Sequence, residues 1–331
     1  MSLLKTASKA VAAASTAQFP LLVGDIGGTN ARFGWVEDAG APLSSIETLT
    51  CAQYPTPGAA AVDYLQRFHA GKAPARTSIA IASAIGNGPI KVTNSHWVLD
   101  PQAFPGEIQT RSLEVFNDFE AIALVLPHLT VAEYSLVGTA TPRGNLTMGV
   151  IGPGTGLGVA GLVPVRDAAG VWQTICGEGG HVTLACSDEY QSEVLRAARR
   201  DNIHVSAERL VSGIGLPALR KAVAAVEGLA VDGELTSEEI GQRGAARTDR
   251  LSERTVDVFC CFLGSIAGNV ALTLGARGGV FIAGGIVPKL GDFFAASGFR
   301  EHFENKGRYR DYLRDISTPV ITAPYPGLMG L

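Results

Sequence analysis

Five residues carry side chains suited to a polyol: Asn117, Asp118, Glu178, His181 and Glu208. Vicinal hydroxyls present paired donors and acceptors, which carboxylates and carboxamides match two at a time. A buried carboxylate that loses its hydroxyl partner discriminates strongly against an altered sugar. One carboxylate could also take the proton of an attacking hydroxyl, since phosphoryl transfer otherwise asks the protein for positioning and charge neutralisation. Each residue has a plainer reading too. Asn117-Asp118 follows a strand-like run and opens a helical one, where Asn or Asp serves as an N-cap. Glu208, in Ser206-Ala207-Glu208-Arg209, suits an exposed helix face, and His181 alone suits a satisfied core histidine. Gly177-Glu178-Gly179-Gly180-His181 is harder to read as purely structural, because glycines crowd two polar side chains just before an apolar segment. Metal binding is a further option for His181, but no suitable cysteine or histidine pair accompanies it.

Three glycine loops accompany these residues, each at the end of a strand-like run. In Gly24-Asp25-Ile26-Gly27-Gly28-Thr29-Asn30, adjacent glycines permit positive φ and let N–H groups converge on phosphate oxygens. Asp25 could hold Mg²⁺ through its water shell, as hydrated Mg²⁺ takes only one or two carboxylates. A simple hairpin turn is the alternative. Gly152-Pro153-Gly154-Thr155-Gly156-Leu157-Gly158 places four glycines between two apolar strands. That is costly in backbone entropy unless something approaches the chain closely, and phosphate is the natural guest. Gly156-Leu157-Gly158-Val159-Ala160-Gly161 imitates a dinucleotide fingerprint, with Glu178 downstream. The fingerprint needs a helix to begin inside it, whereas 159–165 reads as strand and meets Pro164. No G-x-x-x-x-G-K-[ST] occurs, which removes the P-loop class. The third loop, Ala283-Gly284-Gly285-Ile286-Val287-Pro288, suits either an adenosine lying flat on the backbone or a helix-entry turn.

Positioning these groups takes an α/β chain. Strands are predicted over 21–26, 32–37, 77–82, 113–116, 147–151, 157–163, 278–283 and 320–323. Helices are predicted around 61–68, from Asp118 through Leu126, and over 189–200, 217–227, 236–244 and 249–274. Strands alternating with helices over 331 residues argue for two α/β domains. Each half opens with a strand pair around a glycine loop, although no sequence repeat proves a duplication. With 27 basic against 31 acidic residues and no basic run, nucleic acid is disfavoured as main partner. Five scattered cysteines without CxxC spacing suit a reducing, cytoplasmic setting. No stretch approaches about 18 uninterrupted apolar residues, so no membrane span is expected. The Ala-rich patch before Phe19 is too short for a signal peptide and reads as a mobile or frayed helical tail.

Taken together and in order, these segments resemble the bacterial glucokinase family. The resemblance rests on Leu22 through Arg32, Asn117-Asp118-Phe119-Glu120-Ala121, Gly152 through Gly158, Gly177 through Val182, Ser206 through Arg209 and Phe281 through Pro288. It covers roughly residues 20–331. It implies the actin-like ATPase fold: two α/β domains, each built on a ribonuclease-H-like sheet, around a central interdomain cleft. By residue-for-residue carry-over, Gly24, Asp25, Gly27, Gly28, Thr29, Asn30, Gly152, Gly154, Thr155 and Gly156 hold the phosphates of ATP, with Mg²⁺ on Asp25 through water. Gly284 and Gly285 lie near the adenosine. Asn117, Asp118, Glu178, His181 and Glu208 contact glucose, and Asp118 deprotonates its 6-hydroxyl. The resemblance also implies a cytoplasmic homodimer. The zinc-binding cysteines of the related repressor–kinase family are absent, so His181 is expected on sugar rather than on metal. The expected domains are a tail over 1–19, a smaller domain over 20–128, a larger one over 129–322, and over 323–331 the start of a helix returning to the first domain. The family continues that helix past Leu331, which predicts a fragment or a longer natural chain. Two other readings stay open: a sugar-sensing regulator that uses the fold only to bind, and a kinase for another hexose.

Overall fold

The structure, a computed structural model, describes residues 18–86, 88–166, 168 and 170–331. The expected N-terminal tail thus lies, through residue 17, outside the described residues. The chain divides into two compact units: residues 18–125 with Tyr325–Leu331, and Leu126–Pro324.

In the first unit, β1 (Leu21–Ile26), β2 (Asn30–Val36) and β3 (Ser44–Thr50) form an antiparallel meander. β4 (Arg76–Ile81) and β5 (Leu113–Asn117) add in parallel on the far side of β1, giving the order β3-β2-β1-β4-β5. Strand alternation sends Leu22 and Ile26 into a core with Phe33, Trp35 and Tyr64, the last from α1 (Pro57–His69). Leu21 and Val23 pack on the opposite face. α1 begins where the sequence signals it: Pro57 occupies the first turn, and the Thr56 hydroxyl accepts from Ala59 N at 3.1 Å. α2 (Asp118–Val125) follows β5 without a loop.

The second unit repeats the topology. β7 (Met148–Pro153), β8 (Leu157–Pro164) and β9 (Trp172–Gly177) form the meander, and β10 (Gly279–Ile282) and β11 (Thr318–Ile321) continue in parallel from β7. β6 (Tyr134–Val137) closes the far edge antiparallel, so the order is β9-β8-β7-β10-β11-β6. The duplication that the sequence could not prove is present as strand order. Helices α3 (Glu189–Ala198), α4 (Ala207–Leu210), α5 (Leu216–Glu227), α6 (Ser237–Ala245), α7 (Arg250–Leu274) and α8 (Phe299–Glu304) belong to this unit. Asp188, Thr236 and Asp249 cap α3, α6 and α7, each side chain accepting a backbone N–H. α9 (Pro326–Met329) belongs to the first unit, where Leu328 joins Leu21 and Val23.

Two features bear on the sequence reading. α7 is long and apolar enough by composition to cross a membrane, but 83% of its most apolar stretch is buried inside the unit, as befits a core helix. The strands over Ser44–Thr50 and Trp172–Gly177 escape sequence reading because both are sheet edges with mostly exposed or half-buried side chains. An edge strand needs little apolar alternation.

Candidate active site

The carboxyl ends of β1, β4 and β5 are level, since Ile26 pairs with Ile81 and Ile81 with Asn117. Ligands of open α/β sheets bind at such ends. Here they present Asp25, the turn Gly27–Thr29, Ser83 and the Asn117-Asp118 corner. Asp25 faces Arg32 across the hairpin at 3.3 Å. Burial pushes the Asp25 carboxyl up, and Arg32 offsets only part of that shift although 27% of the side chain still reaches solvent. Such a carboxylate gains from a cation beside it.

The turn after Asp25 departs from expectation. Neither Gly27 nor Gly28 adopts a positive φ. What Gly28 lacks is room: a Cβ there would stand 2.6 Å from the Thr93 carbonyl oxygen. Gly24 is likewise a packing glycine inside β1, where a Cβ would stand 2.6 Å from Ile79 Cδ1. The turn closes through Gly27 N donating to Asn30 O at 3.0 Å, and Cys51 N donates to Thr29 O at 2.9 Å.

At the other strand end the two polar neighbours share one backbone donor. Asn117 is the cap of α2: its Oδ1 accepts from Phe119 N at 2.9 Å, and its Nδ2 donates to Ser83 O at 3.3 Å. Glu120 reaches back to accept from Asn117 N at 3.4 Å, the reciprocal half of a capping box. Asp118 is the first residue of the helix, half-buried, with Oδ1 2.9 Å from Phe119 N. Ser83 was not singled out in the sequence. Its Oγ lies 3.0 Å from Thr93 Oγ1 and donates to Lys91 O at 2.8 Å, tying the short hairpin Ile90–Lys91 and Val98–Leu99 to this corner. Its place in the loop after a parallel strand was the available signal.

In the second unit the phosphate-type loop is the β7–β8 turn, and β8 runs as strand through the dinucleotide-like motif. Gly154 N donates to Gly156 O at 2.9 Å, while Gly213 N donates to Gly154 O at 2.8 Å. The third glycine loop packs onto the second. Gly284, at φ +84°, has no room for a Cβ beside the Pro153 carbonyl, whereas a Cβ on Gly285 or Gly154 would meet nothing within 4 Å. Gly285 is the entry to a short helix, Ile286–Leu290, as the helix-entry reading expects.

The glycines around Glu178 have a mechanical reason. Glu178 bridges to Val159 of β8, and Cβ atoms on Gly179 or Gly180 would strike Val159 or the Leu157 carbonyl. Pressed onto β8, this turn holds His181 Nε2 at 3.8 Å from Glu178 Oε2 and Nδ1 at 3.9 Å from Glu208 Oε1. Both gaps are too long for direct hydrogen bonds. Glu208 comes from α4, which Ser206 caps, and a bridge between Thr183 and Ser206 fixes α4 against the His181 turn. Its Oε2 accepts from Leu157 N at 2.8 Å. Thus Glu178, His181 and Glu208 meet in the second unit, and Asn117 and Asp118 adjoin in the first. Among the described residues no group of three or more His, Cys, Asp or Glu side chains is placed to hold a metal ion.

A glucokinase family model matches residues 22–331. The chain is 44% identical to a glucokinase from Chromobacterium violaceum, over 95% of this chain and 88% of that protein. It is 41% identical to a bifunctional protein glk from Paraburkholderia xenovorans, over 94% of this chain but only 48% of that protein, so it spans about half of that relative's length. A crystal structure of glucokinase from an Antarctic psychrotroph superimposes with a TM-score of 0.84 at 32% identity, covering 94% and 97% of the two chains. Fold and likeness define an ATP-dependent hexose kinase of the actin-like ATPase fold. Within that class, the chain belongs to the glucokinase family.

Proposed function

We propose that this chain transfers the γ-phosphoryl group of ATP to the 6-hydroxyl of glucose. In this reading Asn117, Glu178, His181 and Glu208 hold the sugar hydroxyls, and Asp118 accepts the 6-hydroxyl proton. The new bond joins O6 to the γ-phosphorus, the bond to the β-phosphate oxygen breaks, and ADP leaves with that electron pair. The glycine turn after β1 and the β7–β8 turn hold the phosphates, with Gly284-Gly285 beside the adenosine. Mg²⁺ would neutralise charge on the transferring phosphates. Asp25 suits it because its carboxyl is raised by burial and only partly offset by Arg32. The same reading makes the protein a cytoplasmic homodimer acting at the first step of glycolysis. It assigns 20–128 and 129–322 to two domains, with 323–331 returning to the first.

The observation that supports the assignment of Asp118 is its place at the end of β5, level with the carboxyl ends of β1 and β4 that carry Asp25 and the glycine turn. There Asn117 and Glu120 form a reciprocal capping pair, and Asp118, whose Oδ1 also accepts from Phe119 N, adjoins them as the first residue of α2. The test is glucose-dependent ADP formation by wild type and Asp118→Asn. The amide should lower kcat by about 10²–10⁴-fold, the usual worth of a general base, while glucose binding measured by calorimetry is largely kept. Wild-type turnover in that variant would remove Asp118 from the mechanism. Fructose, mannose and N-acetylated hexoses in the same assay test the choice of sugar.

A further inference from the structure

We propose that Glu208 couples sugar occupancy to nucleotide occupancy, and that Ser212 is the positioning residue that makes this coupling rigid. The proposal rests on the reading of Glu208 as a sugar ligand and of the β7–β8 turn as a phosphate loop. The Glu208 carboxylate is divided between two tasks. Oε1 faces His181 at 3.9 Å, on the side of the polyol-type residues. Oε2 accepts from Leu157 N at 2.8 Å, at the foot of the glycine loop. Oε2 also lies close over Gly156, where an added Cβ would meet it. A hydroxyl that draws on this carboxylate therefore acts directly on the loop that would meet the phosphates.

The backbone after Glu208 reinforces the link. Ser212 is fully buried, and its Oγ donates to Glu208 O at 2.6 Å and accepts from Gly215 N at 3.0 Å. This locks the turn 212–215 to α4. The same turn grips the phosphate loop: Gly213 N donates to Gly154 O at 2.8 Å and Ile214 N to Thr155 O at 3.3 Å. Close packing leaves little slack, since a Cβ on Gly215 would stand 2.7 Å from Arg209 O and one on Gly213 3.0 Å from Gly154 O. Sugar-side carboxylate, turn and loop form one hydrogen-bonded body. Ordering one part lowers the cost of ordering the other, which is positive coupling, and linkage makes it reciprocal.

The experiment measures the affinity of the intact protein for the ATP analogue AMPPNP, with Mg²⁺, in the absence and presence of saturating glucose. Wild type should bind the analogue at least about fivefold more tightly with glucose, the lower end of ordinary coupling. Ser212→Ala should keep its glucose affinity without nucleotide yet lose most of that enhancement. Glu208→Gln, which keeps an acceptor but halves the charged pair of oxygens, should weaken glucose and also reduce the enhancement. Circular dichroism and melting confirm that each variant is folded. If wild type binds glucose and turns over but shows no enhancement, the proposal is wrong. It is also wrong if both folded variants couple as wild type does. A wild-type protein that neither binds glucose nor turns over would instead overturn the functional reading beneath it.

Discussion

Asp118 shows how much one hydrogen bond decides at the scale of a residue. Asn and Asp adjoin at a helix start, and either type can cap. Only the fold shows that both accept from Phe119 N at 2.9 Å, and that Asn117 adds a bond to Ser83 O. Asp25 shows the opposite pull between stability and function. Burial raises its carboxyl above the ordinary value, so the folded state holds that proton more tightly than the unfolded chain. Stability then falls as pH rises from the ordinary carboxylate range through the raised value, and the cost is fully present above it. Asp25→Asn should therefore melt higher than wild type at neutral pH without ligands, with the difference shrinking towards about pH 4. The same variant should lose most Mg²⁺-dependent turnover. A lower melting temperature at neutral pH would contradict this account of Asp25.

At the scale of the element, α7 explains glycines that helix propensity alone would penalise by about 1 kcal/mol each. Gly264 and Gly268 lie on one face, four residues apart, where α8 crosses. Cβ atoms there would meet the carbonyls of Phe299 and Phe303. Gly264→Ala should thus destabilise by about 1–3 kcal/mol through overpacking, against the gain expected from propensity. Chemical denaturation followed by far-ultraviolet circular dichroism checks the sign, and a stabilised variant would refute the close crossing. The starts of α3, α6 and α7 were legible to within a residue, whereas the caps Asp188, Thr236 and Asp249 were assigned only by the fold. The edge strands β3 and β9 were not, because their partners lie on one side only and few of their side chains are buried.

For the whole molecule, the main finding is that both units carry the same five-strand order, each with a glycine turn between its first two strands. The C-terminal segment also rejoins the first unit. Leu328 is 2% exposed beside Leu21 and Val23, and Gly330 is bare because a Cβ would strike the Ala121 carbonyl of α2. The helix that begins with Asp118 is thus braced by residues two hundred positions later. Leu328→Ala should cost about 2–4 kcal/mol within that unit. Amide exchange should quicken in β1 and α2 while β7 and β8 keep their protection. Uniform quickening, or none, would show that the segment does not brace α2.

By itself the sequence determined the chemistry on offer: carboxylates, a carboxamide and a histidine for a polyol, and three strand-end glycine loops for a nucleotide. It could do so because residue type and short-range spacing set turn geometry, capping and hydrogen-bonding capacity. Which glycines serve packing and which leave open space was decided only in three dimensions, since Gly24, Gly28 and Gly284 answer to Ile79, Thr93 and Pro153 far away in sequence. The meeting of Glu178, His181 and Glu208 was likewise decided by tertiary structure, through bridges from Val159 to Glu178 and from Thr183 to Ser206. Asp118 stood in the sequence as either cap or base, and only the fold shows that it shares the Phe119 N–H with Asn117.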